Sequence, residues 1–596
     1  MKNFLSGNEA VARGALEAGI RLAAAYPGTP STEILENIAS KFPSIYSQWS
    51  PNEKVAFEVG IGASLGGART LVTMKHVGLN VAADPFMTFA YTGVGGGFVI
   101  VSADDPEMHS SQNEQDNRFY AKFAQIPFLE PSDSQESKDF VKLSCEVSEQ
   151  FDTPVMLRMT TRISHSKGIV QEGEPIEPLA KGFERDMNKY VMVPSNARKR
   201  HVVVVERLEK LKKYSEETEL NYIEDNGSEI GIITGGIAYQ YAKDNLPEAD
   251  YLKIGFGFPL PLKKIRKFVE THKTVLIIEE LEPYYEEQIK AAGINVEGKK
   301  YFSNLGELSP YKVALGLKEA GIIDKVTMAD HKPEQLFPRP PVLCPGCPHR
   351  APFMALKKLK VPVTGDIGCY TLAVLPPLNI MDTCICMGAS IGNAIGMEKV
   401  NPDENGTAAV IGDSTFLHSG ITGLLDAVYN KSNITLVILD NRITAMTGGQ
   451  QNPATGYTLM GEETKEVDLV KLCKALGVES VREIDAYDYQ ATLDILKEEL
   501  KRPGPSVVIT NKPCVLMPKR VMDKPFEVVL DECNGCSACF RIGCPAISQS
   551  KEKTKRNKPK AVIDPQLCTG CAVCAQICKP EAIVLVEEPA TVGGTK

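Results

Sequence analysis

Several protein classes are excluded by what this 596-residue sequence lacks. It has no basic excess: 66 Lys and Arg face 75 Asp and Glu, a net charge of −9, and no basic cluster overrides that balance. This excludes the electrostatic footprint of a nucleic-acid binder. It has no uninterrupted apolar run near the ~18 residues of a membrane span. No export signal is expected, because the N-terminus "MKNFLSGNEAVARGALEAG" turns polar too soon. The expectation is a cytoplasmic chain whose thiols stay reduced, which disfavours a disulfide framework. No short-period repeat is visible, so a solenoid is excluded. Hydrophobic content of 43% and charged content of 24% are ordinary for a soluble protein. The length suits roughly four domains at ~150 residues each.

Cysteine is not scarce, and half of it lies in one short region. "DECNGCSACFRIGCPAIS" carries Cys533, Cys536, Cys539 and Cys544, and "LCTGCAVCAQICKP" carries Cys568, Cys571, Cys574 and Cys578. Soft thiolates at C-x2-C-x2-C-x3-C-P spacing bind two iron–sulfur clusters, the fourth cysteine of each run serving the other cluster. The second run fits up to Cys578, but a lysine precedes Pro580; the first has one extra residue before Cys544. The pattern assigns Cys533, Cys536, Cys539 and Cys578 to one [4Fe-4S] cluster, and Cys568, Cys571, Cys574 and Cys544 to another. Zinc is the competing ligand, but four-cysteine zinc sites rarely use a triple CxxCxxC.

Upstream, short apolar strands alternate with helical patterns, which predicts α/β units with parallel sheets. Residues 1–170 form the first, with strands at "GGFVIVSADD" and "PVMLRMT". Residues 171–227 are charge-rich and read as a connector with a solvated helix at "RLEKLKKYSEETEL". A second unit spans 228–330. The Pro-rich "KPEQLFPRPPVLCPGCP" opens a third, 331–525. The cysteine module takes 526–588, and 589–596 is a tail.

In the third unit, "TAAVIGDSTFLHSGITGLLDAVYNKSNITLVILDN" reads as strand, helix, strand. Asp413 and Asn441 end the two strands on the same sheet edge. Their oxygens suit Mg²⁺, which takes its remaining ligands from phosphates and water. Gly412 to Asn441 resembles the diphosphate-binding motif of thiamine diphosphate enzymes, with Ser414 in place of the second glycine and Asp440 in place of the first asparagine. The resemblance adds the Ile443 carbonyl to the metal shell. "DNRITAMTGGQ" resembles 2-oxoacid:ferredoxin oxidoreductases at Thr447, Gly448, Gly449 and Gln450, where adjacent glycines admit close ligand approach.

The same family supplies expectations for the first unit. "NEKVAFEVGIGASLGGAR" resembles the helix bearing the glutamate that activates the aminopyrimidine ring, here Glu58. Gly62 lies one turn on, on the same face, and apolar neighbours are expected to bury Glu58 and raise its pKa. Glu53 competes for the role, but reads as a first-turn residue facing the helix dipole. "AAYPGTPSTEI" resembles the substrate-side segment, with Thr29 a contact to the 2-oxoacid or cofactor; Ser31 or Thr32 is expected to cap the next helix. Arg118, in "MHSSQNEQDNRFYAKF", is a carboxylate-binding candidate. In the family the thiamine domain often holds a further cluster, and Cys344, Cys347, Cys369 and Cys514 match its order, with Cys384 and Cys386 leaving the ligand choice open.

The whole order resembles the 2-oxoacid:ferredoxin oxidoreductases. The implied fold is a pyrimidine-binding thiamine domain (1–170), a transketolase-C-like domain (228–330), a diphosphate domain (331–525) and a two-cluster ferredoxin-like α+β module (526–588). The implied reaction is CoA-dependent oxidative decarboxylation of an arylpyruvate, with electrons passing to ferredoxin; pyruvate and branched-chain oxoacids are alternative substrates. A non-oxidative thiamine enzyme would have no use for the cysteine module. An electron-transfer subunit with a vestigial site should have lost Asp413, Asn441 or Glu58. The implied partners are a small gamma-like subunit, in a dimer of heterodimers, and ferredoxin, with no nucleic acid and no membrane.

Overall fold

The computed structural model describes residues 1–327, 337, 340–401, 406–517 and 523–586. The expected tail at 589–596 and most of the Pro-rich opening of the third unit lie outside them. The chain divides into two compact units, Met1–Gln335 and Leu336–Lys596.

The first unit is built on a six-stranded parallel sheet, ordered Tyr46–Trp49, Leu22–Ala25, Thr70–Lys75, Phe98–Asp104, Val155–Thr160, Phe128–Leu129. Central strands such as Thr70–Lys75 are buried along their whole length, as a parallel sheet covered on both faces requires. A four-stranded sheet follows, ordered Thr274–Ile278, Ile230–Gly235, Asp250–Ile254, Asn221–Glu224, the last strand antiparallel. The two sheets share one hydrophobic cluster, in which Phe128 meets Tyr284 edge-on at 5.6 Å.

The 171–227 stretch is not a free connector. Asn221–Glu224 is already a strand of the second sheet. Helix Pro194–Glu217 buries Val204, Arg207, Leu211 and Ser215 along one stripe. Arg207 donates to the Ala90 carbonyl at 2.6 Å and Arg200 pairs with Asp152 at 2.9 Å. The charges that suggested solvation therefore strap this helix onto helix Ala83–Thr92 and the end of helix Ser134–Phe151.

The second unit carries another six-stranded parallel sheet: Thr383–Cys384, Val363–Gly365, Thr407–Gly412, Ile434–Asp440, Ser506–Asn511, Ser480–Asp485. Alternate residues feed two separate cores. Ala408, Val410, Val437, Leu439 and Val508 face one, while Ala409, Ile411, Leu436, Ile438 and Ile509 face the other. The cysteine-rich end forms two antiparallel ribbons, Phe526–Val528 with Ile583–Leu585 and Ile547–Lys553 with Pro559–Ile563. Its small core includes Ala351 of helix Arg350–Leu359. Among the described residues no helix is long and apolar enough to cross a membrane.

Candidate functional site

Strands Thr407–Gly412 and Ile434–Asp440 run side by side with Gly412 opposite Leu439, so Asp413 and Asn441 emerge at one carboxyl-end edge. Asp413 is 2% exposed. Burial, then the nearby negative Asp440, pushes its carboxyl up to about 7, while Asn452 donates to Oδ2 at 3.2 Å and opposes the rise. Asp440 has a partner in Arg442 at 3.0 Å; among the described residues Asp413 has no cationic partner within 4.0 Å. Asn441 is also buried, and its Oδ1 accepts the Ile443 N–H at 3.2 Å. A buried carboxylate with no direct ion pair, at the same sheet edge as the buried Asn441 amide, offers oxygen donors that fit Mg²⁺.

Ser414 accepts the Thr444 hydroxyl at 2.9 Å, so the serine in the glycine position anchors the following loop. In that loop Gly448 and Gly449 have φ of 122° and 96°, conformations that glycine reaches without strain. Gln450 does not leave its amide idle: Nε2 donates to the Thr447 carbonyl at 2.8 Å, and Thr447 returns a hydroxyl bond. Gln450 thus closes the Thr447–Gln450 loop on itself.

None of the sixteen cysteines forms a disulfide. Cys533, Cys536, Cys539 and Cys578 line one small cavity. Burial pushes Cys539 up to about 11, with those same three thiols adding to the rise. Burial pushes Cys574 up to about 12, and its thiol neighbours are Cys571, Cys568 and Cys544. The two runs therefore cross over, each lending its last cysteine to the other.

A third set forms ahead of the sheet. Burial pushes Cys347 up to about 12, with Cys344 and Cys369 adding to it; Cys369 in turn neighbours Cys514 and Cys344. Cys514 neighbours Cys344 and Asp413, and its N–H donates to the Asn441 carbonyl at 3.0 Å. Cys384 and Cys386 stand apart, beside Asp366. Among the described residues no three His, Cys, Asp or Glu side chains converge as on a single ion. Three groups of four thiols fit clusters, whose iron would favour the thiolate that burial disfavours.

In the first unit Glu58 lies on helix Glu53–Leu65 and is exposed, paired among the described residues with Lys54 one turn earlier. The expected burial is absent because Ala56, Phe57, Gly60 and Ser64 form the inward face. A Cβ added at Gly62 would meet nothing within 4 Å, so space lies open beside Glu58. Glu53 is the buried glutamate, against Gly78. Arg118 is corrected outright: it is 1% exposed and spends its guanidinium on Asp116 and on Glu279 at 2.9 Å. It is a structural cation, not a ligand-binding one. Ser31 makes no cap either; its hydroxyl donates to the Gly28 carbonyl at 2.9 Å, and Thr32 is the first helical residue.

Thr29 is half-buried at the carboxyl edge of the first sheet, its carbonyl accepting the Ser110 hydroxyl at 3.4 Å. Beside it lies a residue that sequence reasoning missed. Lys75 ends strand Thr70–Lys75, is 9% exposed, and donates to the Ser110 carbonyl at 2.6 Å. Among the described residues no carboxylate lies within 4.0 Å of its ammonium. The signal was a lysine closing an apolar run. His349, Arg350 and Asn452 were missed as well. His349 is buried, 3.5 Å from the Asn441 amide, and burial holds it down at about 4. Both His349 and Arg350 stood in "CPGCPHR", where only the cysteines were weighed.

Residues 13–226 match the family "Pyruvate flavodoxin/ferredoxin oxidoreductase, thiamine diP-bdg", and 366–510 match "Thiamine pyrophosphate enzyme, C-terminal TPP binding domain". The chain is 42% identical to the indolepyruvate oxidoreductase subunit IorA of Archaeoglobus fulgidus, covering 98% of this chain and 97% of that one. The subunit from Thermococcus kodakarensis gives the same identity and coverage. A solved 2-oxoglutarate:ferredoxin oxidoreductase from Magnetococcus marinus is 15% identical, with a TM-score of 0.45 over 53% of this chain and 65% of that one. The chain belongs to the indolepyruvate oxidoreductase subunit IorA family of thiamine diphosphate oxidoreductases.

Proposed function

We propose that the chain oxidatively decarboxylates arylpyruvates of the indolepyruvate type. The products with CoA are an arylacetyl-CoA, CO2 and one proton, and two electrons pass through [4Fe-4S] clusters to ferredoxin. The observation that carries this reading is the hydrogen bond from Cys514 to Asn441 at 3.0 Å. It ties a four-thiol set to the candidate cofactor-metal residues, which a non-oxidative enzyme would not need.

Asp413, Asn441 and the Ile443 carbonyl would hold Mg²⁺ and, through it, the diphosphate, with Gly412, Ser414 and the Thr447–Gln450 loop around them. Thiamine diphosphate supplies an electron sink for the carbon that loses CO2. Glu58 would activate the cofactor as its proton-exchanging carboxylate. Thr29 and Lys75 would receive the substrate carboxylate, Lys75 as a buried cation with Asp105 nearby but no direct ion pair within 4.0 Å among the described residues. The vestigial-site alternative is disfavoured, since Asp413, Asn441 and Glu58 are all retained.

A small second subunit, in two copies with two of this chain, and an external ferredoxin complete the proposal. The test is CoA-dependent ferredoxin reduction across a panel of indolepyruvate, phenylpyruvate, pyruvate and 2-oxoisovalerate, with and without the small subunit. Highest kcat/KM for the aryl substrates, and only with the partner, is the expected result. Preference for pyruvate would reject the substrate class, and full activity of the chain alone would reject the partner.

A further inference from the structure

The CPGC segment contains a buried cation that the reaction above does not use. Arg350 opens helix Arg350–Leu359 and is 4% exposed. A helix N-terminus is the wrong end for a positive charge, and a buried guanidinium ordinarily lies against a carboxylate. Arg350 has none within 4.0 Å among the described residues. Its hydrogen bonds all run to backbone carbonyls. Nε and Nη2 reach Cys344 at 3.4 and 3.2 Å, Nη2 also reaches Leu343, and Nη1 reaches Ile542 at 2.9 Å and Gly543 at 2.7 Å. Burial lowers its pKa, and the groups that offset the loss are sulfurs: Cys544, Cys347, Cys571 and Cys344. Two of these belong to the Cys344 set and two to the Cys544 set.

The loops it joins are also fastened directly. Gly346 has φ of 69°, and a Cβ there would fall 1.9 Å from the Thr569 hydroxyl oxygen. Tyr487 donates to the Gly346 carbonyl at 2.7 Å, and Gln576 donates to the Tyr487 carbonyl at 2.7 Å. The CPGC loop and the 568–578 run are thus held together around Arg350.

We propose that Arg350 is the shared counter-charge of two iron–sulfur clusters, one on Cys344, Cys347, Cys369 and Cys514, the other on Cys544, Cys568, Cys571 and Cys574, and that it sets the potential of both. This rests on the cluster reading given above. A [4Fe-4S] cube with four thiolates is anionic, and reduction adds one more negative charge. A fixed cation in a low-dielectric interior favours the reduced form and raises the potential. When one electron leaves the first cluster, oxidising it by one, and enters the second, reducing it by one, it stays beside the same positive charge. No bond is made or broken. Arginine suits the position because its fork reaches the carbonyls of both loops at once.

The experiment is an EPR-monitored dithionite titration of the whole chain, reconstituted anaerobically, as wild type, R350M and R350K. In R350M the two named clusters should become harder to reduce by at least tenfold in the one-electron equilibrium, a shift of ~59 mV. The cluster on Cys533, Cys536, Cys539 and Cys578 should stay put, and R350K should restore the wild-type values. Unchanged potentials in R350M, or equal shifts of all clusters, would overturn the assignment. Should R350M lose iron, R350K decides: wild-type potentials support the shared charge, lowered ones overturn it. A wild type holding about eight irons per chain, the content of two cubes, would instead remove the Cys344 cluster, and the shared counter-charge with it.

Discussion

Asn452 donates its side-chain N–H to the Asp413 carboxylate at 3.2 Å, a hydrogen bond that orients this buried carboxyl without neutralising it. Asp413→Ala should abolish Mg²⁺-dependent thiamine diphosphate binding. Asn452→Ala leaves the oxygens but frees their orientation, so affinity should fall by ~10–100-fold. Equilibrium titration of the cofactor with Mg²⁺ measures both. Equal loss in the two variants would show that Asn452 is itself a ligand.

Glu58→Gln separates catalysis from stability. The side chain is exposed and its partner among the described residues is Lys54 on the same helix, an interaction of little worth in water. The melting temperature should stay within a degree or two of wild type, while turnover should fall by ~10²–10⁴-fold. Cluster spectra should be unaffected. Near-normal turnover would transfer the role to the buried Glu53.

Lys75→Met should raise stability and weaken substrate binding together. Burial pushes the ammonium down to about 8 from an ordinary 10.5. Its folded-state pKa is thus below its unfolded value. The folded state binds fewer protons between those two values, so Lys75 costs stability below about 8, and the cost fades as pH rises to 10.5. K75M should be more stable than wild type at pH 7, by ~3 kcal/mol at most, and the gap should close toward pH 10.5. The KM for the 2-oxoacid should rise at least tenfold with kcat less affected, and K75R should recover part of the loss. Melts against pH and steady-state kinetics check the two halves separately.

The crossed cysteine arrangement predicts which substitutions share a phenotype. Cys578→Ser should remove the same EPR signal as Cys533→Ser, and Cys544→Ser the same signal as Cys568→Ser. Iron per chain should be near twelve in wild type if the Cys344 set holds a third cube. It should fall by about four in Cys369→Ser. A Cys384→Ser variant should keep the full content, because Cys384 neighbours Cys386 and Asp366 and not the set of four.

Sequence alone placed the candidate residues where placement depends on residue type at fixed spacing. The ferredoxin-type runs, the Gly412–Asn441 interval and the CPGC pair are each brought together by local geometry, since strand ends and short loops place neighbours predictably. The near-continuous apolar runs at 407–412 and 434–440 likewise read as a buried parallel strand pair. Tertiary structure decided what depends on distant partners. Arg118 resembles a ligand-binding cation until Glu279, far along the chain, is seen to neutralise it. Helix Pro194–Glu217 looks solvated until Asp152 and the Ala90 carbonyl are seen to take its arginines. Lys75 and Arg350 are the converse: ordinary cations in sequence, they become significant because folding buries them with no directly paired carboxylate among the described residues. Spacing can fix which side chains a loop presents, but burial and charge balance are properties of everything packed around it.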